Sequence, residues 1–173
     1  MRSHGVDAAR ETDHLPGVSE RKTVIPSIPA IHDYVGRTLG PSDWIPISQE
    51  RIDRFAEATD DRQWIHTDPE RASREAIWKT TIAHGYLTLA LTPHLLGRIL
   101  LIENCTVAVN TGLERARLSA PVPSGSRVRM RAEIRDARNV PNGGVRAAFA
   151  VRIEVEGSSK PALLATVNYV YFP

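Results

Sequence analysis

The chain has 173 residues, 42% hydrophobic and 24% charged, with a formal net charge of +2. That length supports one domain with a real core, and so small a net charge gives no reason to expect a nucleic-acid partner. A single cysteine, Cys105, excludes an internal disulfide and any cysteine-based metal cluster within one chain.

The first 22 residues, "MRSHGVDAARETDHLPGVSERK", are polar and lack the apolar core of a secretory signal. They are expected to form a disordered extension, with residues 23–173 as a single domain and a cytoplasmic location. "IPSIPAIHDYVGRTLG" predicts a short helix stopped at Gly40, and "SDWIPIS" a strand. Ser48 can cap a helix "QERIDRFAEAT". Its Ile52, Phe55 and Ala56 share one face, and Glu50 lies in the first turn, where the dipole favours it. Asp68-Pro69 has the form of a cap followed by proline at the first helical position, starting a short helix to about Ala76.

"TTIAHGYLTLALTPHLLGRIL" is apolar nearly all round, as in a helix wrapped by other structure. Its most apolar window, Tyr86 to Ile102, contains Pro93, His94, Gly97 and Arg98, so a buried helix is expected rather than a membrane span. Cys105 follows in the β-like run "LIENCTVAV" and is expected to be a buried, inert thiol. The period then changes. Four β-rich segments, from Cys105 to Phe172, are separated by "PVPSG", "PNGG" and "GSSKP". Arg127, Arg129 and Arg131 fall on one face, read as the solvent side of a sheet, with Val128, Met130 and Ala132 on the other. The order predicts an α+β fold in which an antiparallel sheet curls around a long central helix. Such a sheet leaves an open edge, and pairing across a two-fold axis would cover it, so a homodimer is expected.

The chemistry-bearing stretch is "TDDRQWIHTDP", Thr59 to Pro69. Asp61 and His66 are five apart. In a helix they would lie about 140° apart, and in a strand on opposite faces. Only an irregular loop can aim both at one point, where a carboxylate and an imidazole can share a water as general base and acid. Asp60 can instead end the preceding helix, and Asp68 is needed as a cap. Gln63 can orient a water or the backbone. Trp64 can pack the loop or line a pocket. In "IAHGYLTLA", Gly85 falls at the start of the buried helix. Its N–H can stabilise an oxyanion, or its missing side chain can serve close packing. His84 reads either as a core histidine bonded to backbone or as part of a site with Tyr86. A metal site from His66, Asp68 and His84 lacks a compact ligand motif, so no metal is expected.

In order, "FAEATDDRQWIHTDP", "IAHGYLTLALTPHLL" and "LERARLSAPVPSGSRVR" resemble the MaoC-like dehydratases, the (R)-specific enoyl-CoA hydratase family, in its nodulation-protein-N-like branch. The resemblance spans roughly Tyr34 to Tyr171. It implies the hot dog fold, with Asp61 and His66 as the catalytic pair and the Gly85 N–H as oxyanion donor. Gln63, Trp64, His84 and Tyr86 would contact substrate. It also implies reversible hydration of a trans-2-enoyl thioester on coenzyme A or a carrier protein, with no cofactor. A thioesterase of the same fold, or a non-catalytic thioester-binding subunit, is the alternative. The chain departs from the family pattern at Asp60, often Gly, at Gln63 and Trp64, often Asn and Pro, at Pro93, a hydroxyl residue in some hydratases, and at Leu118, often Phe.

Overall fold

The computed structural model describes residues 22–173. The expected extension, apart from Lys22, lies outside the described residues. Strand β1 (Thr23–Ile25) pairs in parallel with β4 (Leu100–Ile102). Between β1 and the next strand lies a 3₁₀ helix, Pro29–Tyr34. The helix expected up to Gly40 is therefore shorter and tighter. Gly36, at φ 85°, turns the chain, and its N–H donates to the Ile134 carbonyl at 2.7 Å. Gly40 instead follows β2 (Thr38–Leu39) at φ 87°, where an added Cβ would sit 3.0 Å from the Met130 carbonyl oxygen. Of the strand expected in "SDWIPIS", β3 comprises Ile45–Pro46, beside Arg127 and Val128.

Helix α1 (Gln49–Thr59) begins where expected, with the Ser48 hydroxyl accepting from the Arg51 N–H at 3.3 Å. It buries Ile52 and Ala56 and ends at Asp60 in the left-handed region. A single turn, α2 (Trp64–Thr67), precedes α3 (Pro69–Glu75). Asp68 caps α3, its carboxylate accepting from the Arg71 N–H at 2.8 Å.

The long central helix is divided. Thr81 to His84 are extended, held by Ala83 N–H to the Val122 carbonyl and by Ser124 N–H to the Thr81 carbonyl. Helix α4 (Gly85–Ala90) and helix α5 (Thr92–Ile99) meet at Leu91. Pro93 explains the break, because it has no N–H for the Leu89 carbonyl and its ring crowds the preceding turn.

Strands β5 (Val107–Leu118), β6 (Arg127–Val140), β7 (Gly144–Val155) and β8 (Leu163–Phe172) form an antiparallel sheet in the order β2-β6-β7-β8-β5, with β3 also on β6. Its inner face carries Met130, Ile134, Phe149 and Ile153, fully buried in one core with Leu95 and Ile99 of α5. The outer face is ionic. Arg127 pairs with Glu156, while Arg129, Arg131 and Arg152 converge on Glu154. Those contacts hold the Glu154 carboxyl below the usual carboxylate range against the opposing push of its partial burial. Strand β5 is the sheet edge and is exposed almost throughout, including Val107, Val109, Leu113 and Leu118. Cys105, expected to be buried, is half-buried, its thiol directed at the Val107 carbonyl at 3.3 Å. No helix among the described residues is long and apolar enough to cross a membrane.

Phe149 is fully buried and contacts the Tyr169 and Tyr171 rings edge-on. Phe149→Ala is expected to lower unfolding free energy by about 3–5 kcal/mol. Chemical denaturation measures it, and a loss below about 1 kcal/mol would show that this position is not part of the core.

Candidate active site

Three short elements converge at the start of α4. The first is the turn between α1 and α2. Asp60 sits at φ 58°, a left-handed conformation that reverses the chain at once and is easiest for glycine. The usual glycine at this position of the family pattern thus has a backbone reason, and Asp60 fills the same role at some strain. Asp61 follows with its side chain about half exposed.

The second element is α2. His66 lies within it and is buried. Its Nδ1–H donates to the Ile82 carbonyl at 2.7 Å, which leaves Nε2 as the acceptor nitrogen. The Ile82 N–H in turn donates to the Ile65 carbonyl at 3.0 Å. Gln49, the first residue of α1, adds a further hold, its side-chain amide donating to the His66 carbonyl at 2.7 Å. The buried Thr81 hydroxyl donates to the Gln49 amide oxygen and fixes that amide in turn.

The third element is the extended entry to α4. His84 precedes Gly85 and is buried. Its Nε2–H donates to the Asp61 main-chain carbonyl at 2.9 Å, and its ring stacks on His66 with centroids 3.8 Å apart. Among the described residues no backbone acceptor pairs with the Gly85 N–H, as expected for the first residue of a helix.

A cleft of about 290 Å³ opens beside His66 and Gly85. His66, Gly85, Thr88, Trp78, Leu118 and Val122 are among its lining residues. Leu118 comes from the exposed edge strand, and an added Cβ on Gly85 would sit 2.2 Å from its Cδ1. Gly85 therefore lets this wall close against the helix start. One oxygen of Asp61 and one nitrogen each of His66 and His84 lie within 4.8 Å of one another. That approach is close enough for the Asp61 carboxylate and the His66 ring to share a bridging partner.

The same three groups are a poor metal site. His66 Nδ1 and His84 Nε2 are occupied by main-chain carbonyls. The stacked ring planes, 28° apart, do not meet near either ring, so the two remaining lone pairs do not converge on one ion.

Of the residues expected from sequence, Asp61 and His66 approach each other, and His66 and Gly85 share the cleft lining. Asp61 is not among the lining residues, nor are the other four. Gln63 is exposed at the start of α2, and its carbonyl accepts from the His66 N–H. Trp64 packs the loop, with the Arg71 guanidinium 4.4 Å over its ring. Tyr86 is 74% exposed, because the first turn of α4 points it to solvent. His84 lies behind His66, its donor nitrogen engaged by the Asp61 carbonyl. Trp78, Gln49 and Thr81 were not singled out from sequence, and Leu118 only as a departure from the family pattern. Trp78 and Thr81 belong to connecting segments with no periodic signal, and Gln49 reads only as a first-turn residue.

An antiparallel sheet wrapped on a central helix is the hot dog fold. The sequence profile of the MaoC like domain matches residues 31–154. The 3-hydroxyacyl-thioester dehydratase Z of Mycobacterium tuberculosis is 47% identical over 137 residues, covering 78% of this chain and 90% of that protein. Nodulation protein N of Rhizobium leguminosarum is 39% identical over 145 residues, covering 83% and 89%. The solved (R)-hydratase of A. caviae involved in PHA biosynthesis superposes with a TM-score of 0.63, at 22% identity, over 80% of this chain and 96% of that one, and shares the fold. The chain belongs to the MaoC-like dehydratase family and is a hydro-lyase by class.

Burial pushes the His66 imidazole below its ordinary value of 6.5, and the neighbouring His84 adds to that push. The hydrogen bond to Ile82 and the Asp61 carboxylate oppose it without reversing it. The His66 ring, followed by NMR, is expected to titrate with a midpoint below 6.5. The unfolded chain then binds the extra proton first, so this group's contribution to stability falls as pH drops below 6.5. A midpoint at or above 6.5 would contradict this environment.

Proposed function

We propose that the chain catalyses reversible hydration of a trans-2-enoyl-CoA to the (R)-3-hydroxyacyl-CoA. The observation that carries this reading is the approach of an Asp61 carboxylate oxygen to within 4.8 Å of a His66 ring nitrogen, with His66 and Gly85 both lining the cleft. The similarity to a 3-hydroxyacyl-thioester dehydratase supports the thioester class.

In the hydration direction, the water between Asp61 and His66 Nε2 attacks C3. His66 takes one of its protons, and the C2=C3 electron pair moves onto the thioester oxygen. The Gly85 N–H, at the start of a helix, donates to that oxygen as its charge develops. The proton then passes from His66 to C2, the carbonyl re-forms, and H and OH have been added across the double bond. A buried imidazole with a lowered pKa is a ready donor once protonated. Asp61 orients the water and offsets the transient charge on His66. The thioester itself is the electron sink, so the step balances with water as sole co-reactant.

The exposed β5 edge supports a homodimer. Sedimentation is expected to give twice the chain mass, and a monomer at micromolar concentration would remove that part of the proposal.

The activity test follows loss of the conjugated enoyl absorbance of crotonyl- and hexenoyl-CoA. Asp61→Asn and His66→Ala are each expected to lower kcat/KM by about 10²–10⁴-fold with the fold retained. Wild-type protein that is folded but inert on short, medium and long enoyl-CoA would overturn the reading. Release of free thiol from acyl-CoA would assign a thioesterase instead.

A further inference from the structure

We propose that His84 is a positioning residue for this site, acting on Asp61 by a main-chain hydrogen bond. The inference rests on the hydration reading for its kinetic test, and on geometry alone for its structural one.

Three observations carry it. His84 is only 2% exposed, so it does not meet substrate from solvent. Its Nε2–H reaches the Asp61 carbonyl at 2.9 Å, across a sequence separation of 23 residues. Among the side-chain and backbone hydrogen bonds of the described residues, this is the one that ties the Asp61 residue itself to the entry of α4. Its ring is also held between Phe55, at 5.1 Å, and His66, at 3.8 Å.

The tautomer is determined by these contacts. His84 Nδ1 is buried with no hydrogen-bond partner. Moving the proton there would strand an N–H in the interior and break the bond to Asp61, two losses at once. The Nε2–H form avoids both. His84 also directly precedes Gly85, so one residue ties the turn of Asp61, the ring of His66 and the helix start that presents the Gly85 N–H.

The bond matters because Asp61 is otherwise loosely held. Its side chain is half exposed, and it follows a left-handed residue in an irregular turn. Misplacing a reacting group by about 1 Å can cost about 10²-fold in rate. His84 spans the gap from the helix start to that turn, while His66 is separately anchored at Ile82.

Two substitutions separate the donor from the ring. Glutamine can place its side-chain N–H near the position of Nε2, whereas phenylalanine keeps the stack and loses the donor. With crotonyl-CoA, His84→Phe is expected to lower kcat about 10²-fold with KM changed by less than about 3-fold. His84→Gln is expected to recover most of that loss. Crystal structures of the two variants give the second readout, with the Asp61 turn displaced in His84→Phe and retained in His84→Gln. His84→Phe with wild-type kcat, or His84→Gln as impaired as His84→Phe, would overturn the proposal. An inert wild type would sink the hydration reading, and the position of the Asp61 turn in the two variants would still decide the role of His84.

Discussion

The hydrogen bond from His66 Nδ1 to the Ile82 carbonyl, 2.7 Å long and buried, is the contact on which the site depends. It joins two segments 16 residues apart, the turn of α2 and the extended entry to α4. It fixes the tautomer of His66, so that Nε2 is the nitrogen left to work. With the return bond from Ile82 N–H to Ile65, it holds the chain straight up to His84. Helix α4 then starts at Gly85, beside the histidine, and not a turn earlier. Removing that carbonyl from reach would free the ring, release the tautomer and loosen the helix start together.

The remaining architecture supports this junction at graded rigidity. Behind it is the core, where Ile52 of α1, Leu87 of α4 and Phe149 of β7 are buried in one cluster. In front is the cleft, walled by Leu118 on a sheet edge with few packed neighbours. The histidine is thus on the rigid side, and the carboxylate and the apolar wall are on the accessible side. That division suits the proposed hydration, in which the base would stay neutral and aimed while a thioester enters and leaves.

The sequence was informative where physics is local and periodic. The change from helical to alternating period placed the four long strands, and the Ser48 and Asp68 caps placed α1 and α3 nearly to the residue. Asp60, at positive φ, forms the irregular turn between α1 and α2 that precedes Asp61, and Asp61 and His66 approach each other across it. Reading failed where tertiary contacts overrule local signals. Thr81 to His84 look helical by apolarity, yet bonds to Val122 and Ile65 draw their neighbours out straight. Pro93 argues in the sequence only against a membrane span, and in the fold it divides the helix. Trp64 carried the strongest apolar signal in the loop, but the Arg71 contact shows it packed on α3. Leu118 stands out in the chain only as a departure from the family pattern, and its place as a cleft wall depends on the edge strand lying beside Gly85.

The central claim is that Asp61, His66 and Gly85 act on one substrate in one orientation. A crystal structure with a bound 3-hydroxyacyl thioester tests it most directly. The account predicts the 3-hydroxyl within about 3.2 Å of both the Asp61 carboxylate and His66 Nε2, with the thioester oxygen accepting from the Gly85 N–H. A ligand whose hydroxyl lies away from that pair, or whose thioester oxygen is bound elsewhere, would contradict it.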